Sequence, residues 1–322
     1  MIALIRKQTI IEESDYWPVN RDHSTFVSIL IPAFNRGFVI RETLESIRSQ
    51  TYGNWEAIVV NDGSSDDTSE AVEECAKRDS RVYLIEHGRQ KGAQAARNTA
   101  LRAARGDWIA FLDSDDRWLP HSLALRLKAA VKGAHVVHSE CYVLEAQGDH
   151  QLFGVPPFRG WVYRELLRSP GPMFQSLLLS REACSRLGWL DENIVAYQEW
   201  DTSIRLAKHY SFEFVAEPTF IYDCRHANTI SKDALREAVG YEQVVNKHCS
   251  SILRYLGPKT LAYHYQKAAS FYMKANQEEH ANRCSLRAAL CWPFKSGLIS
   301  GGKKHFVKVM WKKWDHAHRN SS

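Results

Sequence analysis

Three carboxylates fall within four residues at Asp113-Ser114-Asp115-Asp116. Like charges this close raise one another's pKa unless a cation or ordered donors hold them, so the cluster is costly without a partner. A hard divalent ion is the simplest partner. A solvated Asp-rich turn capping the segment from Leu119 onward is the other reading. Two specific chemistries fail on local residues. A calcium-binding EF-hand loop starting at Asp113 needs an oxygen ligand at 117 and glycine at 118, where Arg117 and Trp118 stand. A phosphatase of the haloacid dehalogenase type needs Thr or Val at 117. A second acidic pair, Glu199 and Asp201, reads by itself as acids in the first turn of a helix, where they favour the macrodipole.

The elements that must position these groups follow from the apolar pattern. The cluster ends the run Trp108 to Leu112, which predicts a buried strand opening at its carboxyl end into a polar crevice. Upstream, Val27 to Pro32 predicts a strand halted by proline. Ile40, Leu44 and Ile47 recur at helical spacing between Phe38 and Gln50, and Trp55 to Val60 predicts a second strand. Such a βαβ unit needs helices on both faces of its parallel strands. A helix over 69–78, a third strand over Val82–Ile85 and an Ala-rich helix over 93–105 lead to the cluster. Downstream the pattern predicts a helix from Leu119 to Val131, a strand from His135 to Ser139, and helices over Trp161–Arg168 and Arg181–Leu187. It adds a lead into a strand at Pro170–Gln175, then two short strands at Phe212–Val215 and Thr219–Asp223. The aperiodic segment Gln147–Gly160 is expected as a mobile loop near the site. Every polar candidate in the first half follows a strand, at the edge where open α/β sheets bind nucleotides.

Ser28-Ile29-Leu30-Ile31-Pro32-Ala33-Phe34-Asn35-Arg36, Val59 to Thr68, Gly92 to Asn98 and Phe111 to Asp116 resemble, in order and spacing, the successive motifs of glycosyltransferase family 2. The resemblance covers residues 26 to 230. It implies an α/β GT-A fold, a mostly parallel Rossmann-like sheet flanked by helices, with a C-terminal helical extension. The expected division is an N-terminal extension over 1–25, a GT-A domain over 26–231 and a basic helical region over 232–322. In the family, the acid after the second strand binds the nucleotide base, a role that falls on Asp62, with Phe34 packing on the base and Pro32, Asn35 and Ser114 in the same donor site. Asn61 stands where Asp is commoner, and Phe34 lacks the hydroxyl of the usual tyrosine. Arg97 would pair with phosphate or organise the cluster. Asp113 would reach the ribose and Asp115, supported by Asp116, a divalent Mn²⁺ or Mg²⁺. Tyr197 to Leu206 is similar to the family's acidic motif, which makes Glu199 the catalytic base, in place of the usual Asp, with Asp201 as the alternative. Arg225 and His226 lie where related enzymes carry a loop over the donor diphosphate, His226 as a further metal ligand or phosphate donor.

A chain of 322 residues accommodates one large α/β domain and a smaller appendage. No run of about 18 apolar residues predicts a membrane span, and the bases at Arg6 and Lys7 follow a short apolar patch, the wrong order for a secretory signal. The expected location is therefore cytoplasmic. Seven scattered cysteines without a Cys-x-x-Cys pair point to reduced thiols. Charge is uneven: residues 231–322 hold 16 Lys+Arg against 6 Asp+Glu, and the other 230 hold 26 against 31. From Lys303 to Trp314, Phe306, Met310 and Trp314 recur at four-residue spacing beside Lys304, Lys308 and Lys312. That pattern suits either peripheral association with an anionic membrane surface or docking of the aromatics on the body. No nucleic-acid-binding module accompanies the charge. The expected function is inverting, metal-dependent transfer from a nucleoside diphosphate sugar, UDP-linked by family frequency, to a saccharide or lipid-linked acceptor of a cell-surface glycan. The alternative is a catalytically silent nucleotide-sugar-binding or scaffold subunit. A processive polymerase is disfavoured, because the chain lacks Gln-x-x-Arg-Trp.

Overall fold

The computed structural model describes residues 25–130, 133–145, 150–225 and 233–293. The expected N-terminal extension, His226 and the basic segment Lys303 to Trp314 lie outside these. Two compact units divide the chain between Asp233 and Ala234.

The first unit is built on β1 (Val27–Ala33), α1 (Ile40–Arg48), β2 (Trp55–Asn61), α2 (Thr68–Arg78), β3 (Val82–Glu86), α3 (Ala93–Ala103) and β4 (Trp108–Phe111). β1 pairs in parallel with β2 and β4, and β2 with β3. All seven residues of β1 and of β2 are buried, as parallel strands covered on both faces require. Ile40, Leu44 and Ile47 bury one stripe of α1 in the same core. These boundaries fall within two residues of the sequence expectation, because continuous apolar runs and 3.6-residue spacing carry both signals locally.

The remaining elements are β5 (Arg117–Trp118), α4 (Ser122–Ala130), β6 (Val136–Leu144), β7 (His150–Phe153), α5 (Tyr163–Arg168), a 3-10 turn (Phe174–Ser176), β8 (Leu178–Ser180), α6 (Arg181–Leu187), α7 (Gln198–Ala207) and β9 (Phe212–Asp223). They extend the sheet to the order β3-β2-β1-β4-β8-β6-β9-β5, with β7 paired to β6. The sheet turns antiparallel at β4–β8, while β6 and β9 run parallel. Two short strands were expected where one, β9, is found. Its register against β6 shifts on either side of Glu140, where Pro218 opposes it; proline has no N–H for the ladder, so the interruption read from sequence is a bulge. Likewise, part of the segment expected as a mobile loop is strand β7, antiparallel to β6.

The second unit holds α8 (Ala234–Leu256), α9 (Pro258–Lys274) and α10 (Glu278–Cys291). Gly257, at φ +82°, ends α8 and places Pro258 in the first turn of α9. Inside, Tyr241 and His264 hydrogen-bond at 2.7 Å. Glu242 accepts from the Tyr272 hydroxyl at 2.7 Å, Arg287 at 2.9 Å and Arg283 at 3.2 Å.

Candidate functional site

The loops after β1, β2 and β4 leave the sheet at one edge. Those after β1 and β2 are tied together by their own polar residues. The Asn35 amide, at φ 52°, donates to Ser64 Oγ (2.8 Å), and Asn35 Oδ1 accepts the Ser65 amide (2.9 Å). Asp66 accepts the Gly37 amide (3.0 Å) and the Thr68 hydroxyl (2.5 Å). Much of the motif from Asn61 to Thr68 therefore holds the loop in shape. Gly63, at φ +76°, permits it: a Cβ there would stand 2.7 Å from the backbone of Arg89 and Gln90.

Asp62, 3% exposed, receives three donors: His87 Nδ1 (2.7 Å) and the Lys91 amide (3.0 Å) on Oδ1, and the Gly92 amide (2.7 Å) on Oδ2. A carboxylate offers about four lone-pair sites, so the remaining capacity is on Oδ2. His87, whose other nitrogen meets Thr99 Oγ1 at 2.9 Å, had no motif to announce it. Pro32 is buried in β1 opposite Val60, and Phe34 is partly buried with its carbonyl accepting from Arg36.

The carboxylates after β4 are held by separate partners. Arg97 donates to Asp113 Oδ1 at 2.5 Å, to Gln94 at 3.0 Å and to Gln198 at 3.3 Å, and its guanidinium lies 4.4 Å over the Phe174 ring. Gln175 Nε2 donates to both Asp113 Oδ2 (2.8 Å) and Asp116 Oδ2 (2.6 Å). The Asp223 amide donates to Asp116 Oδ1 at 2.9 Å. Burial, then the charges of Asp115 and Asp113, push the Asp116 carboxyl well above the usual range. Arg36 pairs with Asp115 at 3.2 Å. Ser114 is buried, its carbonyl accepting Thr43 Oγ1 at 3.0 Å. The 3-10 turn carrying Phe174 and Gln175 is fixed from behind by Arg126, fully buried, whose guanidinium donates to the carbonyls of Gln175, Ser176 and Leu177 at 3.2–3.3 Å and stacks on Trp118.

The two acids of α7 differ. Asp201 is 1% exposed and pairs with Arg205 at 3.6 Å, which itself ties to the Trp189 carbonyl at 2.9 Å. Glu199 is partly buried, within electrostatic reach of Arg97 and Asp113; burial is the largest influence and raises its carboxyl. Arg225 chelates Asp223 through Nε and Nη2, at 2.6–3.1 Å, which brings it beside the backbone that holds Asp116. The sequence reading missed Gln94, Phe174, Gln175 and Gln198. Neutral amides and a core-like phenylalanine carry no charge signal, and nothing local shows that they converge.

Among the described residues no group of three or more His, Cys, Asp or Glu is arranged to hold a metal ion. The hard oxygens of Asp115 are of the kind that Mg²⁺ or Mn²⁺ takes alongside substrate phosphates, while both oxygens of buried Asp116 are already held by Gln175 and the Asp223 amide.

Residues 28–154 match the model of glycosyl transferase family 2. Over that stretch the chain is similar to family 2 glycosyltransferases. Among curated relatives, the chain is 44% identical over 106 residues to the Escherichia coli UDP-Glc:alpha-D-GlcNAc-diphosphoundecaprenol beta-1,3-glucosyltransferase WfgD, covering 33% of this chain and 41% of the relative. A putative teichuronic acid biosynthesis glycosyltransferase of Bacillus subtilis, TuaG, is 35% identical over 121 residues, 38% of this chain and 48% of the relative. Each match thus spans less than half of the relative. Two solved structures share the fold. The mannosyltransferase PcManGT from Pyrobaculum calidifontis, in complex with GDP-Man and Mn²⁺, aligns with TM-score 0.57 at 18% identity over 87% of this chain and 91% of its own. S. aureus TarS 1-349 in complex with UDP-GlcNAc aligns with TM-score 0.57 at 15% identity over 81% of this chain and 90% of its own. The fold that the chain shares with these structures is GT-A.

Proposed function

We propose that the protein is an inverting, metal-dependent glycosyltransferase that moves a sugar from a UDP-sugar to a hydroxyl of a saccharide or lipid-linked acceptor in cell-surface polysaccharide or glycolipid assembly. The observation that carries this reading is the Glu199 carboxylate. It has no hydrogen bond to another residue among the described ones and lies in the field of Asp113 and Arg97, at the family's acidic motif. Inversion needs one carboxylate to take the acceptor proton while the oxygen attacks the anomeric carbon opposite the leaving diphosphate. A partly buried carboxyl with a raised pKa is the stronger base for that step. Asp201, committed to Arg205, is the weaker candidate.

Asp62 and Phe34 would take the base, Asp113 the ribose, with Pro32, Asn35 and Ser114 shaping the same pocket. Arg97 and Arg225 would face phosphate, to which Arg binds through paired donors. Asp115 would hold the divalent cation, with Asp116 in support and His226, outside the described residues, as a further ligand. When bound, the ion supplies Lewis-acid neutralisation of the leaving diphosphate. The similarity to WfgD, a UDP-Glc-dependent transferase, supports a UDP-linked donor, and the similarity to TuaG supports a role in cell-surface polysaccharide assembly.

A thermal-shift screen of UDP-, GDP- and dTDP-sugars with Mn²⁺, followed by nucleotide release from the hits, tests the reading. Stabilisation without turnover across acceptors would favour the silent, donor-binding subunit instead. Peripheral membrane association through Lys303–Trp314 belongs to the same proposal. No described helix is long and apolar enough to cross a membrane. Sedimentation with anionic liposomes that is unchanged by truncation at residue 295 would remove that element.

A further inference from the structure

Helix α7 starts in an unusual conformation. Tyr197, which precedes it, is left-handed at φ 58° and ψ 30°, a region that non-glycine residues seldom occupy unless surrounding contacts impose it. The next residue, Gln198, is 7% exposed and supplies two such contacts. Its Nε2 donates to the Ile194 carbonyl at 2.8 Å, and its Oε1 accepts from Arg97 at 3.3 Å. Arg97 is 4% exposed, holds Asp113 at 2.5 Å, and has an Nε–H with no acceptor. One buried guanidinium therefore joins the carboxylate after β4 to the first turn of α7, Arg97 itself standing 101 residues before Gln198. Glu199 follows immediately.

The chemistry at 198 is demanding. The side chain must accept from a cation and donate to a carbonyl at once, and among side chains of this length the carboxamide does both. A carboxylate would lose the bond to Ile194, compete with Asp113 for Arg97 and set a like charge beside Glu199.

We propose that Gln198 is a positioning residue: through Arg97 it fixes the first turn of α7 against Asp113, and so sets where the Glu199 carboxylate stands relative to a donor held at Asp113. This rests on the reading of Glu199 as the base.

The test compares the full chain with Gln198→Ala and Gln198→Glu. Three measurements are made: nucleotide release from UDP-glucose, UDP-N-acetylglucosamine and GDP-mannose with Mn²⁺, calorimetric binding of UDP and GDP, and hydrogen exchange over residues 195–201. In Gln198→Ala, kcat falls on the order of ten- to a hundredfold while donor KM and nucleotide affinity hold, since misplacement by about an ångström costs that much. Gln198→Glu also moves the acid limb of kcat to higher pH, because Glu199, within electrostatic reach of Arg97 and Asp113, gains a like-charged neighbour. In both variants the α7 start exchanges faster. Unchanged kcat in Gln198→Ala, or a loss shared equally by kcat and nucleotide affinity, overturns the proposal. If the wild type releases no nucleotide, the transferase reading fails and exchange decides: equal protection at 195–201 overturns the bridge, faster exchange in the variants sustains it.

Discussion

Gln175 is where the acidic cluster is most exposed to a single change. One amide nitrogen donates to Asp113 at 2.8 Å and to Asp116 at 2.6 Å, and Asp116 is 1% exposed. Hydrogen bonds to charged groups contribute about 1.5–3 kcal/mol each, so losing both in Gln175→Leu should cost about 3–6 kcal/mol. In a unit of this size that is a fall of roughly 10 °C in Tm. Gln175→Glu keeps the shape and adds a third carboxylate, and its penalty depends on pH. An acid whose folded pKa lies above its unfolded value of about 4.3 imposes nothing below that value. Its cost grows as pH rises toward the folded pKa, by about 1.4 kcal/mol per unit of displacement. When protonated, the new carboxyl can also donate one of the two lost hydrogen bonds. Urea denaturation in EDTA, read by tryptophan fluorescence against wild type, should find Gln175→Glu only mildly destabilised near pH 4 and worse than Gln175→Leu near pH 7. A penalty equal at both pH values would refute the claim that Gln175 separates two mutually repelling carboxylates.

Glu199→Gln should abolish transfer by a factor of about 10² to 10⁴, the usual contribution of a general base, with UDP affinity unchanged by calorimetry; retained turnover alongside a dead Asp201→Asn would exchange the two roles. In wild type, kcat/KM should rise with pH through an acid limb above the ordinary Glu range, because burial raises the Glu199 carboxyl and only its ionised form accepts the proton. A limb near 4 would mean that Glu199 is not the titrating base. Asp115→Ala should remove the Mn²⁺-dependent part of the thermal shift given by a donor and leave the metal-free part; an intact Mn²⁺ effect would return Asp115 to a structural pair with Arg36. Arg126→Met should destabilise the first unit by about 3 kcal/mol, since the Gln175, Ser176 and Leu177 carbonyls each lose the guanidinium, Gln175 keeping the Trp118 indole as a donor. Denaturation identical to wild type would refute that role.

The amino-acid order by itself determined the first half of the unit. β1, β2 and β4 are largely buried runs and β3 a partly buried edge strand, separated by helices of 3.6-residue spacing, so each element declares itself over about ten residues, and the polar groups that follow each strand must emerge at one edge. Ordered motifs then marked Asp62, Arg97, Asp113, Asp115 and Glu199 as candidates. Tertiary structure decided what each one touches. It committed Asp66 and most of Asp62 to loop contacts, buried Asp201 against Arg205 and left Glu199 within electrostatic reach of Arg97 and Asp113. It also fused two expected strands into β9 across a proline bulge. The groups that organise the cluster, Gln175 and Gln198, are neutral amides brought in from about 60 and 100 residues away. Hydrogen-bond complementarity of that kind depends on distance and direction between remote side chains, and a residue type at a sequence position encodes neither.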